Sequence, residues 1–238
     1  MKKLLLFVMM LFLVCGCSKD SDELVMVTEA GFAPYEYYKD GEIVGVDVDI
    51  AKEIAKELGK KLVIKDIAFD SIVNEVKTGK ADFGAAGISY SPERAENVDF
   101  SNDYSVSRQV AVVRENTYKS VSEIKNKKIA VQLGSIGDTY VSEHFKDASV
   151  VRQKKYLAAA EDLKASKVDA IVMDELPAKQ IILNNTGLVI LDEEITSDSY
   201  GMIVKKGNKE LLDVINKVID RLKSEGKIDE FVLNHTEE

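Results

Sequence analysis

From Leu24 onward the chain alternates strand-like and helix-like segments, and this alternation constrains the fold more than any other feature. LVMVTE reads as a strand and EIVGVDV as a second extended piece. DVDIAKEIAKELGK follows as a helix, with Ile50, Ile54, Ala55 and Leu58 on one face and Gly59 just past its end. KLVIKDI is a strand, SIVNEVKTGK a helix closing at Gly79, and ADFGAAGIS a buried strand. S-P-E-R then opens a helix, with Ser91 as N-cap and Pro92 in the first turn. The pattern runs again through KKIAVQLG, DTYVSEHF, SVVRQ, AAAEDLKASK, VDAIVMD, ELPAKQIILNN and GLVILDE. YGMIVKK returns as a strand, and KELLDVINKVIDRLKSEGK reads as one long amphipathic helix. Such alternation predicts an α/β fold of mostly parallel sheets flanked by helices, and two successive runs predict two lobes.

The first seventeen residues, MKKLLLFVMMLFLVCGC, are of a different kind. Two lysines precede an apolar run that stops at small residues, the layout of a secretory signal. The run is shorter than the roughly 20 apolar residues that span a bilayer. V-C-G-C resembles a bacterial lipobox, which makes residues 1–16 a lipoprotein signal peptide and Cys17 the lipid-bearing first residue. An ordinary signal with an incidental thiol is the alternative. Residues 17–23 then form a short polar tether. The chain has two cysteines, Cys15 and Cys17, so the folded body has no disulfide, no cysteine-based metal site and no thiol nucleophile. Its net charge of −9 argues against a nucleic-acid partner, which needs clustered basic residues.

Three features look like pieces of one binding site. In A-A-G-I-S-Y-S-P-E-R, a strand ends at Gly87, Ser89 offers a hydroxyl beside a backbone N–H, and Arg94 lies in the first turn of the next helix. The Gly87 carbonyl and the Ser89 hydroxyl suit an ammonium, while Arg94 suits a carboxylate. A cation in a helix first turn opposes the helix dipole, which implies a local anion, although such an arginine is also found as a plain surface charge. In Q-L-G-S-I-G-D, Gly134, Ser135 and Ile136 either aim N–H groups at an anion or form an ordinary turn with Ser135 as cap. Asp174 follows the apolar strand AIVM, where it completes an ammonium cage, caps the next helix, or does both.

With these residues in view, the chain resembles the bacterial solute-binding proteins for polar amino acids that serve ABC transporters, the family 3 type. The carrying motifs are GFAPYEYY, EIVGVDVDIAKEIAKELG, KADFGAAGISYSPERAENVDFSNDY, VDAIVMDELPA and SYGMIVKKGN. The resemblance implies two α/β lobes joined by two crossing hinge strands, Tyr104–Arg108 and Ser197–Gly201. Lobe one would be residues 22–105 plus 200–238, and lobe two residues 106–199. It implies that Arg94 and the Ser89 and Ile136 N–H groups hold a ligand α-carboxylate. The Gly87 carbonyl, the Ser89 hydroxyl and Asp174 would hold the α-ammonium. Phe32 and Phe69 would sandwich the side chain, with Glu29 and Gln132 at its far end, although both phenylalanines also suit a core. A pocket carboxylate at Glu29, with no cation at position 132 to offset it, favours a basic amino acid, then glutamine.

The expected partners are a small-molecule amino acid, ABC permease subunits and the membrane through the anchor, with the protein a monomer on the extracytoplasmic face. No cofactor or metal is expected. An enzyme on the same scaffold and an amino-acid-sensing module are the competing readings. His144 and His235, the chain's two histidines, sit in no recognisable catalytic constellation.

Overall fold

The computed structural model describes residues 22–236. The leader, Cys17 and the first residues of the tether lie outside the described residues. The first half comprises β1 (Glu23–Thr28), β2 (Gly31–Phe32), β3 (Glu36–Lys39), β4 (Glu42–Val44) and α1 (Val46–Glu57). It continues with β5 (Lys61–Asp66), α2 (Ile72–Lys77), β6 (Phe83–Gly84), α3 (Pro92–Ala95) and β7 (Val98–Phe100). Next come β8 (Ser105–Arg114), β9 (Lys128–Gln132), α4 (Ile136–His144), β10 (Ser149–Gln153) and α5 (Tyr156–Lys164). Then follow β11 (Ala170–Asp174), α6 (Glu175–Leu183), β12 (Leu188–Ile190) and β13 (Thr196–Tyr200). The chain closes with β14 (Ile203–Lys205), α7 (Lys209–Ser224) and α8 (Lys227–Thr236).

These strands form two principal sheets. One runs β5-β1-β6-β14-β7, with β1 parallel to β5 and β6 and with β14 antiparallel to its neighbours. The other runs β10-β9-β11-β8-β12, parallel through β11, with β8 antiparallel and β13 paired to β8. The chain enters the second sheet after Phe100 and leaves it at Tyr200. At that crossing β8 and β13 pair antiparallel, Ser105 opposite Tyr200 and Arg108 opposite Ser197. A small hairpin sheet, β2-β3-β4, stands apart from both.

Side-chain alternation explains why both sheets are covered on two faces. In β1, Leu24 and Met26 join the core that holds Ile54, Ile215 and Ile219 of α1 and α7, while Val25 and Val27 join Ile72 and Val76 of α2. In β11, Ile171 and Met173 pack with Ala160, Leu163 and Ile181 of α5 and α6, while Ala170 and Val172 meet Val141 of α4. Burying an aliphatic side chain of this size stabilises a fold by about 1.5–3 kcal/mol, so this double layer supplies the cohesion that disulfides would otherwise give.

Several local expectations change. In EIVGVDV only Glu42–Val44 is extended, because Gly45 at φ 134 turns the chain and VDV begins α1. A side chain at Gly45 would put its Cβ 2.1 Å from the Tyr35 carbonyl oxygen. The last helix is two, α7 and α8, broken at Gly226 with φ 67. ADFGAAGIS is buried, yet only Phe83–Gly84 forms a ladder with its neighbours. The expected crossing segment from Tyr104 is the start of the ten-residue strand β8. The caps at Ser91 and Ser135 are as expected, each hydroxyl accepting a first-turn N–H. Asp174 holds the N-cap position of α6 without a side-chain cap bond.

Candidate functional site

The candidate residues follow the carboxyl ends of parallel strands, the edge where ligands sit in open α/β sheets. Glu29 and Phe32 come after β1, Phe69 after β5, and Gly87 and Ser89 after β6. From the second sheet, Gln132 ends β9, Ser135 and Ile136 lead into α4, and Asp174 ends β11. A cavity of about 10 Å³, room for about one water, is lined by Phe32, Phe69, Gly87, Ser89, Arg94, Gln132, Ser135, Ile136 and Asp174, with Ala86 and Gln109. Glu29 is the remaining candidate, and it lies behind Gln132, bonded to it. Beside this cavity a groove of about 490 Å³ opens past Phe69, Arg94 and Ile136.

Arg94 spans the two sheets. Its Nη1 donates to the Ser89 carbonyl at 2.5 Å and its Nη2 to the Gly134 carbonyl at 2.8 Å. The guanidinium also lies over the Phe69 ring, 5.5 Å from its centroid, a cation–π arrangement. Burial pulls its pKa down, while Asp198 is the strongest neighbour holding it charged. Of the loop N–H groups expected to face an anion, two are engaged. Gly134 donates to Asp138 Oδ2 at 3.1 Å and Ser135 to the Gln132 carbonyl at 3.1 Å. Ile136, the first residue of α4, has an N–H without an intrahelical partner.

The side of the cavity expected to meet an ammonium carries more polar groups than the sequence indicated. The Ser89 hydroxyl donates to Asp198 Oδ1 at 2.8 Å, so here it is a donor to a carboxylate. Gln109 Nε2 reaches Asp198 Oδ2 at 3.4 Å, and Tyr200 donates to Asp174 Oδ1 at 2.5 Å. Burial raises the Asp174 carboxyl, against the donors Tyr200, Ser107 and Gln109. Burial and then the Asp174 charge push Asp198 up to about 6. Two carboxylates therefore lie close together, Asp174 lining the cavity and Asp198 held by the cavity-lining Ser89 and Gln109, an arrangement that an ammonium relieves.

Phe32, expected to face a cleft, is buried in an aromatic cluster, stacked 5.9 Å from both Tyr35 and Tyr156. One edge still reaches the cavity wall. At the other end, Glu29 is offset by a cation after all. Lys155 Nζ lies 2.9 Å from Glu29 Oε1, a pairing between distant loops that position 132 could not reveal.

Asp198, Gln109, Tyr200 and Lys155 were missed in the sequence. Gln109 carries the clearest signal, a neutral polar residue beside the apolar run Val110–Val113. Asp198 and Tyr200 alternate on one face of β13, which is visible only once that segment is known to be a strand.

Facing strand ends around a small polar cavity, lined by an arginine and an aspartate with a second carboxylate beside them, define an α/β small-molecule-binding protein. The model for bacterial extracellular solute-binding proteins, family 3, matches residues 24–237, and the chain belongs to that family. The family consists of transport binding proteins, not enzymes. The chain is 28% identical over 232 residues to the ABC transporter arginine-binding protein 1 of Escherichia coli K12, covering 95% of each. Among solved structures it is similar to an amino acid ABC transporter substrate-binding protein, AbpA, of Streptococcus pneumoniae bound to L-arginine. That match has a TM-score of 0.87 and 35% identity, covering 91% of this chain and 95% of that one. An ancestral arginine-binding protein bound to glutamine matches with a TM-score of 0.85 and 36% identity, covering 91% and 99%. Among the described residues no helix is long and apolar enough to cross a membrane.

Proposed function

We propose that this protein captures a polar L-amino acid between two lobes and presents it to an ABC importer, with arginine or lysine the first choice and glutamine the second. The observation that carries this reading is the convergence on one cavity of Arg94 from the first sheet with Ile136 and Asp174 from the second. An α-carboxylate would take the Arg94 guanidinium and the Ser89 and Ile136 N–H groups. An α-ammonium would take the Gly87 carbonyl, Asp174 and the Ser89 hydroxyl, with Asp198 beside them. Phe32 and Phe69 would flank the side chain, with Gln132 and Glu29 beyond. The relatives named for arginine support a basic ligand, and the glutamine-bound ancestral protein keeps the amide in view.

A cavity of about 10 Å³ is far smaller than an amino acid, so entry requires the walls to part. The lobes would be residues 22–105 with 200–238 and residues 106–199, rotating about the paired start of β8 and β13. A ligand touching both walls favours the closed form, because its full set of contacts exists only there. In the same reading Cys17 carries lipid on the extracytoplasmic face, and the lobes act as a monomer. Cys17→Ser would then release the protein from the membrane fraction. A Cys17→Ser protein that stays membrane-bound overturns the anchor.

The direct test is calorimetry against the L-amino acids, using protein unfolded and refolded to strip carried-over ligand. Micromolar or tighter binding of a polar amino acid is expected. Silence from a folded sample overturns the reading.

A further inference from the structure

Glu29 sits at the mouth of β1 with its side chain 1% exposed, and a carboxylate that deep needs partners. It has two. Lys155 Nζ lies 2.9 Å from Oε1, and Gln132 Nε2 donates to Oε2 at 3.0 Å. Lys155 also reaches Asp66 Oδ2 at 3.4 Å. Both carboxylates belong to the first sheet, at the ends of β1 and β5, while Lys155 and Gln132 belong to the second, after β10 and at the end of β9. Burial pushes the Glu29 carboxyl above its ordinary range, and Lys155 is the strongest influence pulling it back.

Gln132 fixes what this end of the cavity offers a ligand. Its second amide hydrogen goes to the Lys154 carbonyl at 3.1 Å. Both partners of Nε2 are pure acceptors, so the amide cannot be turned round, and its two hydrogens are spent. Gln132 lines the cavity, and the group its amide has left to offer is the Oε1 acceptor. A neutral amide N–H can satisfy it without disturbing anything. A cationic head group that also seeks Glu29 meets an ammonium already in place, and like charges a few ångströms apart repel.

We infer that Lys155 is a specificity-determining residue: its ammonium fills the counter-ion position on Glu29 and narrows the advantage of a cationic over a neutral side chain. The inference rests on the amino-acid-binding reading above. Lys155 is suited to this role because its side chain is 41% exposed on a flexible stem. A guanidinium can displace it toward Asp66 and solvent, at the expense of the Glu29 pair.

The test compares L-arginine with L-citrulline, its neutral counterpart, and with L-glutamine, by calorimetry on the wild type, Lys155→Met and Lys155→Arg. Lys155→Met is expected to raise the arginine-to-citrulline affinity ratio by about tenfold or more, as a freed charge-assisted contact implies. Lys155→Arg, which keeps the cation, should leave the ratio within about threefold of wild type. A ratio that stays put or falls in Lys155→Met overturns the inference while leaving amino-acid binding intact. A wild type silent toward every amino acid overturns both. A wild-type crystal structure with L-arginine gives a readout independent of the variants. Lys155 is expected to have left Glu29, and an unmoved ion pair with the guanidinium also on Glu29 overturns the inference.

Discussion

The Tyr200 hydroxyl donates to Asp174 Oδ1 at 2.5 Å, joining the last residue of β13 to the last of β11 at the floor of the cavity. Tyr200 is fully buried, and its ring packs edge-on against Tyr35 at 5.0 Å. Tyr200→Phe keeps that ring and removes only the donor. Asp174 would then lose a partner in a buried site, and the expected loss of stability is about 1–3 kcal/mol. Urea denaturation with an unchanged m-value checks it; a midpoint equal to wild type would show that Ser107 and Gln109 suffice.

Arg94 reaches from the first sheet to the Gly134 carbonyl of the second, yet it stands at the open groove. Arg94→Ala should abolish ligand binding, by about a hundredfold or more, with little change in thermal midpoint. Arg94→Lys should rescue poorly, since an ammonium cannot make the forked pair. Calorimetry paired with thermal melts separates the two readouts, and full binding by Arg94→Ala would refute the carboxylate assignment.

Asp198, pushed up to about 6, gives a pH dependence with opposite signs for stability and for binding. Because its folded value lies above the unfolded one, its contribution to stability is present at low pH and lost as pH rises through 6. An ammonium ligand needs the ionised form, so affinity should hold above neutrality and fall as pH drops below 6. Titrations in buffers of different ionisation enthalpy should show protons released on binding near that pH. Asp198→Asn should flatten both profiles.

Gly87 has φ 54, and a Cβ there would lie 2.7 Å from the Phe32 ring. Its N–H is also held, donating to the buried Asp47 Oδ2 at 3.0 Å. Gly87→Ala therefore strains the backbone and pushes on the aromatic cluster, with an expected cost of about 1–3 kcal/mol. Weakened ligand affinity should accompany it, because the carbonyl assigned to the ammonium moves with the residue. Chemical denaturation and calorimetry on the same variant measure both effects.

The fold was largely legible because periodicity and caps are local. Val25 and Val27 alternate with Leu24 and Met26 whatever lies across the sheet, and Ser91 caps α3 through bonds within four residues. The break at Gly226 was hidden because the amphipathic pattern continues across it. The small sheet was hidden apart from the extended piece at β4, because β2 and β3 are only two and four residues long.

The site divides the same way. That Arg94, Ser89, Ile136 and Asp174 line one cavity follows from each standing where a strand hands over to a helix, a place marked by nearby residues. Sequence alone determined those turns, the two-sided burial of the strands and the acidic, cysteine-free body. Tertiary structure alone decided that Lys155 meets Glu29, that Asp198 meets Ser89 and that Tyr200 meets Asp174. Those pairs are 126, 109 and 26 residues apart in the chain. Charge and hydrogen bonding act over a few ångströms of space, so only strand pairing within the second sheet, for Tyr200 and Asp174, and the approach of the two sheets, for the other pairs, bring such partners within reach.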